Sequence, residues 1–438
     1  MPVLTSYPVS RLSGAVRAPA DKSCSHRALI LSGLAEGTSR ITGLLEGDDV
    51  LRTAKVMAAL GAQVDQIGAG NWQVIGVGRD GLASPKTDLD FGNSGTGSRL
   101  MMGVLAGHDI EARLIGDESL SARPMGRIIE PISKMGARVD SADGGRLPLM
   151  LRGSPHLVGI DYTPPHASAQ VKSAVLFAGL SAAGKTIVRE PRMTRDHTER
   201  MLRGFGADLS IDHKDGLRSV AIEGGQTLIA QDVLVPGDPS SAAFLVAAGL
   251  ISPAGDVTVE GVMSNETRDG FFRIADRMGG TLGAEAVGDA AGERLIDVAA
   301  ASARLKGITV PEEIVPAMID EFPILAVVAA FAEGETTVTG AKELRVKETD
   351  RIAAVVDMLR VNGVEIADAE DGFTIQGCGG PPPGGGRVET RHDHRIAMSA
   401  LVMGTAAQQP VSIDDASMIA TSYPDFADHM RTLGADIR

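Results

Sequence analysis

The sequence is poor in cysteine, in aromatic residues and in basic charge. Only Cys24 and Cys378 occur among 438 residues, so we expect neither a disulfide framework nor a thiolate metal site. The aromatic residues are 10 Phe, 3 Tyr and 1 Trp, too few for the stacking surfaces of single-strand nucleic-acid binders. The 42 Lys and Arg are outnumbered by 56 Asp and Glu. The resulting formal net charge of −14 argues against a nucleic-acid partner and, taken alone, disfavours any anionic ligand.

The sequence also lacks targeting signals. The first residues, MPVLTSYPVSRLSG, contain no basic segment followed by an apolar run, which a secretory signal requires. The longest apolar stretch, residues 324–332, is about half of the ~20 residues that a membrane span needs. We therefore expect a cytoplasmic protein with no membrane partner. The length predicts two or three domains.

Glycine is abundant, with 53 residues, and six of these glycines occur at regular intervals along the chain. A signature of the form apolar-Gly-small-x-apolar recurs six times, at spacings of 70 to 84 residues, with its glycines at Gly61, Gly136, Gly206, Gly279, Gly363 and Gly434. Each follows an amphipathic stretch such as VLRTAKVMAALG. The glycine is therefore predicted to end a helix, and the apolar residue after it to begin a strand.

A second pattern keeps the same period. Six alternating segments predict half-buried strands, at residues 37–43, 108–116, 184–190, 255–261, 334–340 and 409–415. Each is preceded by a helix that is apolar nearly all round and must be buried. The unit of buried helix, strand, amphipathic helix and strand thus occurs six times. Because single cores seldom exceed ~250–300 residues, we expect two domains of three units, with a boundary near residues 233–241.

The six buried helices begin with residues suited to anions. Ser, Asn and Asp at these starts are ordinary helix caps. Capping does not explain Lys22 and Arg27 in the first helix or Arg395 in the sixth, because cations in a first turn oppose the helix dipole at a cost of up to ~1 kcal/mol each. An anion bound at the helix starts would offset that cost. His392-Asp393-His394 lacks a further ligand pattern, so we expect no metal there.

Eight segments together closely resemble the 5-enolpyruvylshikimate-3-phosphate synthase family: DKSCSHRALIL, FGNSGTGSRL, ARPMGR, ASAQVKSA, PGDPSSAAF, RVKETDRI, DHRIAMS and ATSYPDF. They occur in the family's order from about residue 10 onward, and TRDHTERML resembles the bacterial class II subgroup. The resemblance implies an α/β fold of two similar domains, each with three βαβαββ units and internal helices, an inverse α/β barrel. The implied domains are 21–237, and 1–20 together with 238–438, with the active site in the cleft between them and closure on ligand binding.

The resemblance also implies a reaction. The family transfers the enolpyruvyl group of phosphoenolpyruvate to the 5-hydroxyl of shikimate 3-phosphate and releases phosphate, a step of aromatic amino acid biosynthesis that glyphosate inhibits. It needs no cofactor or metal, and we expect a monomer. The implied catalytic residues are Lys22, Asp320 as base and Glu348 as proton donor. Those implied for shikimate 3-phosphate are Lys22, Ser23, Arg27, Ser168, Gln170, Arg195, Asp320 and Lys347. Those implied for phosphoenolpyruvate are Lys22, Asn93, Gly95, Thr96, Arg123, Gln170, Arg351, His394 and Arg395.

Two positions depart from the family pattern, and two other functions stay open. Thr421 stands where the commoner subgroup has a lysine, and Glu343 stands where an asparagine contact is usual. The sister enzyme that acts on UDP-N-acetylglucosamine uses a loop cysteine, where this chain has Glu118. A catalytically silent binding protein on the same fold is the other alternative.

Overall fold

The computed structural model describes residues 3–214 and 216–438. Within these ranges the α-helices are α1 (Lys22–Leu34), α2 (Asp48–Ala59), α3 (Gly95–Ala106), α4 (Glu118–Ala122), α5 (Gly126–Met135), α6 (Ala169–Ser181), α7 (His197–Gly204), α8 (Pro239–Ile251), α9 (Gly270–Arg277), α10 (Phe322–Phe331), α11 (Arg351–Val361), α12 (His394–Gly404) and α13 (Phe426–Thr432). Three 3₁₀ helices cover Glu312–Met318, Lys342–Val346 and Ser417–Thr421.

The strands of the same ranges are β1 (Leu4–Tyr7), β2 (Leu12–Arg17), β3 (Thr38–Thr42), β4 (Gln63–Gly68), β5 (Asn71–Ile75), β6 (Leu89–Asp90), β7 (Glu111–Ile115), β8 (Arg138–Ala142), β9 (Arg146–Arg152), β10 (Asp161–Tyr162), β11 (Lys185–Glu190), β12 (Leu209–Lys214), β13 (Leu217–Glu223), β14 (Val233–Leu234), β15 (Gly255–Ser264), β16 (Thr281–Ala290), β17 (Glu293–Ala301), β18 (Glu333–Val338), β19 (Glu365–Ala369), β20 (Gly372–Cys378), β21 (Arg387–Val388), β22 (Val411–Ile413) and β23 (Asp436–Ile437).

The chain divides into two compact units. The N unit is Ala20–Val235 with Ala290–Gly292, and the C unit is the chain up to Pro19 with Pro236–Asp289 and Glu293–Arg438. The N unit holds the sheets β14-β3-β5-β4, β6-β7-β9-β8 and β10-β11-β13-β12. The C unit holds β16-β17-β15-β2, β18-β20-β19 and β21-β22-β1-β23. In the described ranges these sheets stay small and separate, and none closes into a barrel.

The sheets repeat one pairing scheme. In each N-unit sheet a two-residue strand lies parallel to a longer one, which pairs antiparallel with the second strand of a hairpin, as in β10, β11, β13 and β12. In the C unit the first strands of the chain take part: β1 pairs with β22 and β23, and β2 runs parallel to β15. The predicted mixed α/β fold of repeated units is confirmed.

The predicted helix ends and strands are also confirmed. All six signature glycines have positive φ, from +77° at Gly363 to +121° at Gly136, which favours glycine over any residue with a Cβ. The six alternating segments form β3, β7, β11, β15, β18 and β22. The sequence period therefore marks real structural units.

The six helices before those strands form the cores. In α8, α10 and α12 every residue is buried, and α1, α3 and α6 are buried along most of their length. Gly103 of α3 shows how closely α3 and α6 pack, because a Cβ there would lie 2.2 Å from the carbonyl oxygen of Ala174. The predicted internal helices are thus present in both units.

No single helix in the part of the chain that the structure describes is long and apolar enough to cross a membrane. The pair Glu312–Met318 and Phe322–Phe331 passes the length and composition test only when combined, and it is bent by 117°.

Candidate active site

Helix α1 carries the first group of predicted ligands. Asp21 caps it, since its Oδ1 accepts a hydrogen bond from the Cys24 amide at 2.7 Å. The Lys22 ammonium lies 3.1 Å from Asp49 Oδ2, and Lys22 and Ser23 are both partly exposed. The cation at this helix start is therefore fixed by one carboxylate and still reaches solvent.

Arg27 is buried in the second turn of α1, so the prediction that it lies in the first turn is wrong. Its Nε donates to Thr198 Oγ1 at 2.7 Å, its Nη2 to Ser173 Oγ at 2.9 Å and its Nη1 to the Ser23 carbonyl at 2.9 Å. Burial lowers the pKa of Arg27, nearby acidic groups partly offset this, and the charge of Arg195 lowers the pKa further. Two predicted ligands of one substrate are thus like charges close together, an arrangement that a bound anion would stabilise.

His26 has no predicted role but lies at the centre of this region. Its Nδ1 is 2.8 Å from Thr53 Oγ1, and its Nε2 is 3.5 Å from Ser94 Oγ, the cap of α3. Burial, assisted by the charges of Lys22 and Arg27, lowers the pKa of His26 to about 3. The ring is therefore neutral at ordinary pH and bridges α1, α2 and the start of α3. In the sequence, only the position of His26 directly before Arg27 indicates that it lies near the predicted ligands.

The glycine-rich segment before and within α3 forms a cradle. Asn93 Nδ2 donates to Asp117 Oδ2 at 2.8 Å, and Arg123 Nη2 donates to Asn93 Oδ1 at 2.8 Å. Ser94 Oγ accepts from the Gly97 amide at 3.1 Å. The structure thus brings Asn93 and Arg123, both predicted for phosphoenolpyruvate, into direct contact.

Gln170, at the start of α6, joins the same cradle. Its Nε2 donates to Thr96 Oγ1 at 3.1 Å, and its Oε1 accepts from Arg99 Nη1 at 3.1 Å. Ser168 caps α6, with its Oγ 3.4 Å from the Val171 amide. Sequence reasoning missed Arg99, although it lies in FGNSGTGSRL, because the residue types alone did not distinguish it from a surface arginine.

In the C unit, Arg351 is the centre of the predicted site. Its Nε donates to Asp393 Oδ2 at 2.8 Å, its Nη1 to Asp320 Oδ1 at 3.1 Å, and its Nη2 lies 2.6 Å from Glu348 Oε2. Burial alone would lower its pKa, but the charges of Asp393, Glu348 and Asp320 outweigh burial and raise it. With its side chain only 1% exposed, Arg351 holds the two predicted acid–base carboxylates on a single guanidinium.

Two further predicted residues contact Asp320, and a third, His394, precedes one of them in the chain. Lys347 Nζ donates to Asp320 Oδ1 at 3.1 Å, and Arg395 Nη1 donates to the Asp320 carbonyl at 3.1 Å. His394, the first residue of α12, is buried. Glu321, which sequence reasoning missed, lies buried with its Oε1 3.7 Å from Arg395 Nη1.

The side chains of Asp393 and Thr421 both form hydrogen bonds within the protein. Asp393 accepts from the Arg395 amide at 2.8 Å with Oδ1, while its other oxygen bonds Arg351. Thr421 Oγ1 donates to the Met418 carbonyl at 2.7 Å, so its hydroxyl closes a 3₁₀ turn. A threonine that bonds its own backbone does not replace the charge of a lysine.

The predicted ligands therefore fall into two groups, one in each unit. The N unit holds Lys22, Ser23, Arg27, Asn93, Gly95, Thr96, Arg123, Ser168, Gln170 and Arg195. The C unit holds Asp320, Lys347, Glu348, Arg351, His394 and Arg395.

Comparison with known proteins decides the family. The profile described as EPSP synthase (3-phosphoshikimate 1-carboxyvinyltransferase) matches residues 6–430. The chain belongs to the EPSP synthase family. A curated relative from Hyphomonas neptunium, named 3-phosphoshikimate 1-carboxyvinyltransferase, is 67% identical over 437 residues and aligns over 100% of both chains.

Solved structures agree with this assignment. An EPSP synthase from Acinetobacter baumannii is 40% identical, with a TM-score of 0.88 over 100% of this chain and 99% of that one. The enolpyruvyl transferase NikO from Streptomyces tendae is 20% identical, with a TM-score of 0.77 over 100% of this chain and 98% of that chain. The second likeness shows that the EPSP synthase fold is shared with another transferase, so the substrate has to be argued from the site.

Proposed function

We propose that this member of the EPSP synthase family transfers the enolpyruvyl group of phosphoenolpyruvate to the 5-hydroxyl of shikimate 3-phosphate and releases phosphate. The observation that carries the proposal is the contact of both Asp320 and Glu348 with Arg351. Addition of a hydroxyl to the double bond of an enol phosphate needs one group to take a proton and another to give one. Two carboxyl groups held on one guanidinium meet that need when Asp320 is ionised and takes a proton and Glu348 is protonated and gives one.

The assigned roles follow the atoms of the reaction. The 5-hydroxyl oxygen bonds to C2 of phosphoenolpyruvate while its proton passes to Asp320 and Glu348 delivers a proton to the C3 methylene. The C2–O bond to phosphate then breaks, the proton held by Asp320 leaves with the phosphate, and Glu348 takes a proton back from the new methyl group to restore the double bond. Lys22 and Lys347 polarise the reacting groups, and arginine forks bind carboxylate and phosphate.

In this proposal the two groups of ligands, one in each unit, serve the same pair of substrates. Residues of both units bind each substrate: Asp320 and Lys347 of the C unit join the N-unit ligands of shikimate 3-phosphate, and Arg351, His394 and Arg395 join those of phosphoenolpyruvate. Inhibition by glyphosate, a monomeric state and a cytoplasmic location are further parts of the proposal. Light scattering after size exclusion checks the monomer.

Phosphate release from phosphoenolpyruvate is the direct test. We expect release with shikimate 3-phosphate and none with UDP-N-acetylglucosamine. Asp320→Asn and Glu348→Gln should each lower kcat by about 10²–10⁴-fold, while Glu365→Gln on the exposed edge of β19 should not. Release with the nucleotide sugar alone would favour the sister activity, and silence with both acceptors would favour a binding protein.

A further inference from the structure

Lys172 lies near the start of α6, two residues after the predicted ligand Gln170, and has no assigned role. Its side chain is 0% exposed, so its ammonium does not face solvent. A cation at this place opposes the helix dipole and has lost its water. Both costs require compensation from neighbouring side chains.

That compensation comes from a closed ring of buried charges. Lys172 Nζ lies 3.0 Å from Glu190 Oε2 and 2.8 Å from Glu199 Oε1. Arg218 Nη1 contacts the same two oxygens at 2.6 and 3.0 Å. These four residues, at most 6% exposed, form what we call the buried tetrad. Its two positive and two negative charges balance, which is the condition for keeping ions in a core.

Two residues of the buried tetrad lie on either side of one loop, residues 191–196. Glu190 is the last residue of β11 before the loop, and Glu199 is in the first turn of α7 after it. Thr194, within the loop, donates through its amide to Glu190 Oε1 at 3.2 Å and through its hydroxyl to the same oxygen. Lys172 Nζ also donates to the Thr194 carbonyl at 3.3 Å. The loop backbone is therefore tied to the tetrad at the residue before Arg195.

The flanking residues link the tetrad to Arg27. Ser173 follows Lys172, Thr198 precedes Glu199, and their hydroxyls are 2.7 Å apart while both accept from the Arg27 guanidinium. Arg27 and the loop are thus fixed by the same two helices, α6 and α7.

A purely stabilising role explains this arrangement poorly. Replacing a buried ion network by apolar side chains of similar volume is often neutral or stabilising, so a folded core does not require four ions. What apolar side chains would not supply is the set of hydrogen bonds to the Thr194 backbone.

We propose that the buried tetrad is a positioning device that holds loop 191–196 so that Arg195 stays beside Arg27 for the phosphorylated acceptor. This inference rests on the proposed function for the identity of the acceptor. It assigns positioning roles to four residues that touch no reacting atom.

Thr194→Val provides the cleanest test, because it removes one hydroxyl bond to Glu190 and leaves all four charges. We expect the KM for shikimate 3-phosphate to rise about threefold to tenfold, as for the loss of one hydrogen bond. The kcat should stay within about twofold of wild type and the KM for phosphoenolpyruvate should not change. Hydrogen exchange of the loop 191–196 amides, followed by mass spectrometry, should become faster. Glu190→Gln should raise the KM for shikimate 3-phosphate and speed exchange of the loop amides more than Thr194→Val does.

Two variants control for trivial effects. Thr186→Val deletes a buried hydroxyl on β11 that has no hydrogen-bond partner among the residues that the structure describes, so it should change neither KM nor exchange. Thr194→Ser retains the hydroxyl and should restore wild-type values. An unchanged KM for shikimate 3-phosphate in Thr194→Val, or an equal rise of both KM values, would overturn the positioning role and leave the proposed function standing. If wild type has no turnover, the proposed function fails, and the exchange comparison still decides whether the tetrad anchors the loop.

Discussion

At the scale of single residues, Gly95 lies where any side chain would meet two guanidinium groups. A Cβ built there is 2.9 Å from Arg99 Nη1 and 3.1 Å from Arg123 Nη1. Both are the far ends of flexible side chains, so the protein would accommodate the methyl group by moving its own cations. The consequence should therefore appear in ligand binding and not in folding.

We expect Gly95→Ala to raise the KM for phosphoenolpyruvate and to weaken inhibition by glyphosate, since Arg123 leaves its place beside Asn93. Initial rates at varied phosphoenolpyruvate and glyphosate measure both effects. Gly126→Ala is the matched control, because a Cβ there meets no atom within 4 Å. Unchanged inhibition of Gly95→Ala would contradict this account of the cradle.

His26 predicts a pH dependence of stability. Its pKa is about 3 in the folded chain and about 6.5 in an unfolded one. As the pH falls below 6.5 the unfolded state gains a proton that the native state does not, so stability present above that pH is lost progressively toward pH 3. At pH 4.5 the loss from this one group amounts to about 2–3 kcal/mol.

The measurement compares urea unfolding at pH 7.5 and pH 4.5. His26→Asn should be less stable than wild type at pH 7.5 but should lose less stability on acidification. His156→Asn, a change of the same type at an exposed position, should follow wild type. Equal losses in wild type and His26→Asn would show that His26 is not neutral in the native state.

At the scale of elements, the two ends of α5 offer an internal comparison. Gly136 ends the helix at φ +121°, and a Cβ there would have 4.0 Å to its nearest neighbour, Leu157 Cδ1. Only backbone strain therefore opposes a side chain. We expect Gly136→Ala to lower the free energy of unfolding by about 1–2 kcal/mol, whereas Gly126→Ala at the other end should not lower it. The midpoints of urea unfolding measure this difference. Equal midpoints for the two variants would show that the positive φ does not explain why position 136 is a glycine.

The elements also show how much the sequence could predict. Capping glycines and alternating strands are local features, and for this reason the six repeats could be located from residue types alone. The partners of β1 and β2 lie hundreds of residues away, and no local pattern identifies them. The same limit applies to the site: Lys22, Arg27 and Arg395 stood out because cations oppose a helix dipole, whereas His26 and Lys172 are distinguished only by burial and by partners from other elements.

At the scale of the whole molecule, the net charge and the candidate site have opposite signs. The chain carries −14 overall, yet its predicted ligands include seven cations: Lys22, Arg27, Arg123, Arg195, Lys347, Arg351 and Arg395. The negative net charge therefore argues against extended polyanions as partners, whereas small anions can bind at the predicted sites, where cations are concentrated. The first four of these cations belong to the N unit and the last three to the C unit.

This division predicts domain closure. Phosphoenolpyruvate has predicted ligands in both units, Arg123 in one and Arg395 in the other. We therefore expect it to bind fully only when ligand draws the units together. We expect the radius of gyration, measured by small-angle X-ray scattering, to fall when shikimate 3-phosphate and glyphosate are both added. Inorganic phosphate alone should not cause the change, and Arg395→Gln should weaken it by removing a C-unit contact. If calorimetry shows saturation with both ligands while the scattering stays constant, the ligands bind without closure, and the assignment of both units to one substrate has to be abandoned.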